Sequence, residues 1–294
     1  MHRSGTSYTT SLLKNAGLDI GKVLLGENKS NPKGHFENED FCNLHRKILK
    51  ENYLHPDGWD LKTISFQKEY EEEAKTLIAK NTNTYWGWKD PRTTLFLNFW
   101  KQLLPNAYFL FIYRSPWEVV DSIYRRKDPI FKDAPEKAID VWMFYNQVIL
   151  DFYKNNCANS VLYNIKNIIQ KPETFLIELN KRFGFELKFS EKKIFDEEIF
   201  NRTIINQNLQ QIFVEQYSPE AVKLYRQLEQ LNKGERLCED NEAFFIPDSK
   251  TIYQHWYQFD AAFNKINTLR DKISWMKESR FWKLRILLRK MKPL

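Results

Sequence analysis

The sequence predicts an α/β fold in which helices cover both faces of a parallel sheet, and three observations carry that prediction. Residues 107–114, AYFLFIYR, form a near-continuous apolar run, as expected of a parallel strand buried on both faces. A second run, SVLYNI, lies at 160–165. Around them fall helix-length segments with apolar residues three and four apart, which gives the strand–helix alternation of a parallel sheet.

The first element is a loop. His2-Arg3-Ser4-Gly5-Thr6-Ser7-Tyr8 leads into a helical pattern whose Leu12, Leu13 and Ala16 share one face and which Gly17 is placed to end. A helix N-terminus presents unpaired N–H groups and a partial positive charge, so it suits an anion. Gly5 permits close backbone approach, Arg3 adds charge, and Ser4, Thr6 and Ser7 add donors. The plain alternative is an N-cap in which Ser4 or Thr6 only closes the first turn. Loops of this kind follow a buried strand, and the sequence opens at Met1. The start is therefore expected to be truncated, and a longer product with an apolar run ahead of Met1 is expected to fold better.

Residues 18–33 read as a loop ending in KGHFEN, which brings His35 and Glu37 close together. Phe41, Leu44, Ile48 and Leu49 then follow at helical spacing, and 67–80 reads as an exposed helix. TYWGWKDPR at 84–92 reads as a short strand running into a loop, because Pro91 cannot continue a ladder or a helix interior. Leu95 to Leu104 is helical. After the 107–114 run, Pro116 begins a helix carrying Val119, Val120 and Ile123 on one face. Residues 136–155 form an amphipathic helix, and 172–183 a helix closed by Gly184. Residues 186–248 read as helix and loop, and the main domain is expected to span 1–248, with a helical basic tail over 249–294.

At 294 residues the chain can bury a sizeable core, and 22 Phe, 14 Tyr and 9 Trp argue against wholesale disorder. Cys42, Cys157 and Cys238 are scattered, without C-x-x-C spacing, which predicts a reducing compartment and no metal site. No leader pattern and no apolar run of about 18 residues is present, so a soluble, cytoplasmic protein is expected. The net charge of +7 is concentrated at the end, where Arg280, Lys283, Arg285, Arg289, Lys290 and Lys292 meet no acid. The body is near neutral, which argues against nucleic-acid binding.

Ligands of parallel α/β sheets bind at the carboxyl ends of the strands, and three anion-binding candidates fall there: the opening loop, WKDPR and YRSPWEVVDS. Arg114 follows the strand and Ser122 lies two turns into the next helix, where a guanidinium and a hydroxyl can hold one phosphate. Plainer roles exist for each: Arg114 pairing with Asp121, Ser122 as an ordinary helix residue, Lys89–Asp90 as a surface ion pair.

In this ordered set the chain resembles the sulfotransferases that use 3'-phosphoadenosine-5'-phosphosulfate. HRSGTS resembles their 5'-phosphosulfate loop and FIYRSPWEVVDSIYRR their 3'-phosphate motif, while NPKGHFEN and WGWKDPRTTLFLNFW are similar to bacterial members acting on carbohydrates or related metabolites. The resemblance covers roughly 1–185. It implies a P-loop-type parallel sheet with donor contacts from Arg3, Ser4, Gly5, Thr6, Ser7 and Tyr8 on the 5' side and Arg114 and Ser122 at the 3'-phosphate, with no metal. Arg3 stands where many members carry lysine. The cytosolic branch has Lys-x-His as its base unit; here Lys89-Asp90-Pro91 takes that place, so Lys89 can stabilise charge but Pro91 replaces the base. Glu37 is the first candidate base, His35 the second and Asp90 the third. Tyr163 is a candidate adenine contact, two residues out of register with the family's motif.

The resemblance implies transfer of a sulfuryl group to a hydroxyl acceptor, expected to be a glycan. The alternatives are a nucleotide-binding scaffold without turnover and a P-loop kinase; the second lacks its Gly-Lys-Ser/Thr ending, since Thr6 follows Gly5. In the tail, Phe259, Ala262, Ile266, Leu269, Ile273 and Met276 make a short heptad seam. SRFWKLRILLRKMK, over 279–292, mixes six basic residues with apolar ones, which suits either an anionic membrane surface or a helix partner. Similar stretches in bacterial surface-polysaccharide glycosyltransferases favour a glycan acceptor.

Overall fold

The molecule, a computed structural model, describes residues 1–26, 36–62, 64, 66, 68–126, 128–190, 207–232, 269, 271–276 and 278. His35 and the basic segment 279–294 lie outside them. Two compact units are present, Met1–Arg202 with Gln210–Asn241, and Thr203–Leu209 with Glu242–Leu294. The described residues of the second are helical.

The two apolar runs are strands. β1 (Phe109–Tyr113) and β2 (Ser160–Asn164) pair in parallel, with Phe109 opposite Ser160 and Tyr113 opposite Asn164. Strand alternation divides their side chains between two cores. Phe109, Phe111, Tyr113 and Leu162 face one, filled by α5 (Pro116–Arg126), α7 (Lys137–Asn155) and α11 (Pro219–Asn232). Ile112, with Leu110, Val161 and Tyr163, faces the other, built from α1 (Thr6–Asn15), α8 (Ile165–Gln170) and α9 (Pro172–Phe183). Helices thus cover both faces of a parallel sheet, as the apolar runs predict. Gly184, at φ 71°, closes α9 in a conformation that other residues adopt at a cost.

A third apolar cluster supports the loop that carries Glu37. It joins α2 (Glu39–Glu51), α3 (Lys68–Asn81) and α4 (Leu97–Leu103) through Phe41, Ile48, Tyr70, Phe99 and Trp100. Two further helices are α6 (Pro129–Asp133) and α10 (Gln207–Tyr217). Among the described residues, no helix is long and apolar enough to cross a membrane.

Residues 84–92 differ from expectation. They contribute a single bridge, Trp86 to Asp19, instead of a strand. Pro91 opens a 3₁₀ helix, Pro91–Phe96, and Asp90 caps it by accepting from the Arg92 N–H at 3.0 Å. A proline with an acid in front of it starts a helical turn here and withdraws the segment from the sheet.

Candidate functional site

The opening loop meets the carboxyl ends of both strands. Gly5, at φ 86°, caps α1 without a side-chain bond, so neither Ser4 nor Thr6 closes the first turn. A Cβ at Gly5 would fall against the Ile165 side chain, with Cδ1 at 2.7 Å, so only glycine lets the loop lie on the end of β2. Arg3 adopts φ 64°, a left-handed conformation that an arginine enters against a steric penalty.

That backbone aims Arg3 at α5. Its Nε donates to Ser122 Oγ at 2.8 Å. Burial, then the guanidiniums of Arg126, Arg125 and Arg114, push the Arg3 pKa down to about 10. Like charges gathered in a buried place favour an anion there. Arg114 follows β1 and pairs with Glu118 at 3.4 Å, while Arg125 takes Asp121. The Arg114 carbonyl accepts from Trp142 Nε1 at 3.1 Å, which ties the strand end to α7. Burial raises the Glu118 pKa, but Arg114 and Lys166 outweigh it and hold the carboxylate charged, below its ordinary value. Ser4 Oγ is fully buried and meets no partner among the described residues. A buried hydroxyl without a partner is uncommon in folded proteins.

A second group of charges sits across the loop. Lys89 Nζ donates to Glu37 Oε1 at 2.7 Å and to Ser7 Oγ at 3.3 Å. Glu37 immediately precedes Asn38, which caps α2 by accepting from the Asp40 N–H and donates to the Ile20 carbonyl, so the backbone there is fixed. Phe41 stacks on Trp88 at 4.2 Å, and this aligns α2 with the residue before Lys89. Glu37 and Lys89 are both nearly excluded from solvent.

Asp90 is engaged by α2 and by the 3₁₀ turn that follows it. His45 Nδ1 lies 2.7 Å from Asp90 Oδ2, and Arg92 Nε bonds both carboxylate oxygens. Burial alone would raise its pKa; Arg92 and His45 overcome that and hold Asp90 well below the usual carboxylate range. Held charged so firmly by Arg92 and His45, Asp90 is the weaker candidate for a proton acceptor. Tyr163 faces α9, where its hydroxyl donates to Glu178 at 2.7 Å. Tyr8 packs half-buried against the α1–α8–α9 core. Thr6 accepts through its carbonyl from Thr10 Oγ1 at 2.8 Å.

Glu37, Cys42 and Asp90 place one potential metal-ligand atom each within 4.8 Å of one another. Burial raises the Cys42 pKa far above the ordinary thiol value, and Arg92 already bonds both acids. A dication there would have to displace the Arg92 guanidinium from both acids. A cavity of about 630 Å³ opens between α1, residues 84–94 and β1, with walls that include Leu13, Trp86, Phe111 and Leu179. Lys89 and Thr6 reach it, whereas Arg3, Arg114 and Ser122 lie outside its lining.

The structure thus brings together Arg3, Ser122 and Arg114 at one pole and Ser7, Lys89 and Glu37 at the other. Three participants escape a reading of the sequence. Glu118 replaces Asp121 as the Arg114 partner, and Arg92 and His45 hold Asp90; only the i, i+4 spacing of Arg114 and Glu118 signals any of this in one dimension. Comparison with family models, curated proteins and solved structures finds no match for this chain.

Proposed function

We propose that the chain transfers a sulfuryl group from 3'-phosphoadenosine-5'-phosphosulfate to a hydroxyl acceptor of carbohydrate type. The observation that carries this reading is the Arg3–Ser122 bond, which joins the expected 5' loop to the expected 3'-phosphate helix. A donor with anionic groups at both ends of one ribose suits a guanidinium cluster and the Lys89 ammonium on the two sides of one loop.

The acceptor oxygen forms a bond to sulfur as the bond from sulfur to the 5'-phosphate oxygen breaks. The electron pair leaves on 3',5'-adenosine bisphosphate, and the acceptor proton passes to Glu37. Such transfers depend on positioning and on electrostatic stabilisation of the leaving oxygen. Lys89, drawn from Glu37 toward the sulfuryl oxygens, frees Oε1 to take the proton. The glycan acceptor rests on the NPKGHFEN and WGWKDPR stretches and on the SRFWKLR tail.

Calorimetric titration with 3',5'-adenosine bisphosphate, followed by radiolabelled sulfate transfer from the donor into a panel of glycans and lipids, tests the proposal. Binding with label in a glycan supports it; failure to bind the bisphosphate sinks it. A second reading, nucleotide binding without turnover, draws on the ion pairs that engage both Glu37 oxygens. Binding without label in any acceptor favours that reading. A cytoplasmic location, with the basic tail on a membrane, belongs to the same proposal, and liposome flotation with and without residues 279–294 checks the tail.

A further inference from the structure

A chain of buried polar groups runs from α4 to the loop before α2. Trp100 Nε1 donates to His45 Nε2 at 2.9 Å. An indole nitrogen can only donate, so Nε2 accepts, the ring is neutral, and Nδ1–H donates to Asp90. Asp90 receives Arg92 through its backbone N–H and Nε. The far end of the guanidinium then spreads, Nη2 to Glu37 Oε2 and Nη1 to Asp57 Oδ1, each at 3.3 Å. Trp100, His45, Asp90, Arg92 and Glu37 are all buried.

A buried ion network is by itself weak evidence for stability. Apolar side chains of similar volume commonly replace buried ion networks without loss. Geometry accounts for this one. Glu37 is held on one oxygen by Lys89, from the donor side, and on the other by Arg92, from the core side. Only a planar fork reaches Asp90, Glu37 and Asp57 at once, which a lysine could not do.

We infer that Arg92 is the positioning residue of this site: braced by Asp90, His45 and Trp100, it anchors Glu37 Oε2 so that Oε1 faces the acceptor hydroxyl once Lys89 turns to the donor. The inference rests on the reading of Glu37 as the base. It also assigns the two oxygens different roles, one fixed and one reactive.

The test is a double-mutant cycle of Arg92→Lys and Glu37→Gln on the full chain, read by sulfuryl transfer and by bisphosphate affinity. Arg92→Lys keeps a cation beside Asp90 but loses the fork. Its kcat should fall about 100-fold, the effect of a misplacement of about 1 Å. Donor KM and bisphosphate affinity should change by no more than about threefold, because Arg92 is outside the cationic pole. In the Glu37→Gln background, Arg92→Lys should have no further effect, since a residue acting through Glu37 has nothing left to position. Unchanged kcat in Arg92→Lys, or losses that multiply in the double variant, overturns the inference.

If Arg92→Lys does not fold, the cycle is run with Asp57→Asn, which weakens the hold of the partly exposed Asp57 on Arg92. Its expected loss is about tenfold or less and should likewise vanish beside Glu37→Gln; multiplied losses overturn the inference there too. Absence of transfer by the unaltered chain removes the function reading itself, a result distinguishable before any variant is compared.

Discussion

Arg3 and Ser122 are 119 residues apart and share a hydrogen bond of 2.8 Å. The bond joins the loop before α1 to the second turn of α5, so the two motifs form one surface. Ser122→Ala should therefore weaken 3',5'-adenosine bisphosphate binding about tenfold, the value of one hydrogen bond to a charged partner. Arg114→Ala should weaken it at least about 100-fold, because Glu118 is left buried beside the vacated cation position. Calorimetry checks both, and unchanged affinity in either variant would remove that residue from the site.

Glu37→Gln should lower sulfuryl transfer about 1,000-fold, to a residual rate that radiolabelled donor still reads, while bisphosphate affinity stays within about threefold, since the amide keeps the shape of the side chain but takes no proton. Undiminished turnover would shift the base to another group. His35 would then be the next to change.

Gly5→Ala should destabilise the fold by about 2–4 kcal/mol, from left-handed backbone strain and from overpacking against Ile165. Ile165→Ala in the same chain should recover part of the bisphosphate affinity by making room. Urea unfolding gives the stability change, and a midpoint equal to that of the unaltered protein would contradict the close approach.

Stability should fall as the pH drops from 7 to 5. Burial holds His45 neutral and lowers its pKa, and burial followed by Arg92 does the same to His2. The unfolded chain takes up both protons below about pH 6.5, the folded chain does not, and each histidine removes up to about 1.4 kcal/mol per pH unit. Asp90 adds to the effect at lower pH: its folded pKa is depressed, so its stabilisation is present above the ordinary carboxylate value and is lost as the pH falls through the folded value. His45→Gln should make the urea midpoint flatter between pH 7 and 5. Parallel curves for the variant and the unaltered protein would exclude His45 as a titrating group.

Local pattern carried much of this fold into the sequence. The apolar runs at β1 and β2 and the spacing in α1, α2, α5, α7 and α9 are properties of neighbouring residues, and they appear as read. Residues 84–92 mislead because their aromatic residues suit a strand, while the fold uses Trp88 to stack on Phe41 and Asp90 to cap a turn. Arg3, Lys89, Arg114 and Ser122 stand out in sequence because each lies in or beside a loop at a strand end. Arg92 and His45 do not, since their meaning depends on Asp90 and on a helix 45 residues away. Tyr163 stands out by its position along the chain, and strand alternation sets it beside α9.

The left-handed Arg3 held among three other guanidiniums has a thermodynamic consequence. Repulsion opposes folding there, and any anion that binds the folded cluster alone acts as a folding ligand. Apparent melting temperature then becomes a measure of ligand concentration, with about 2.7 kcal/mol of added stability when an anion is present at 100 times its Kd. For this chain, resistance to heat should report how much bound anion the surroundings supply.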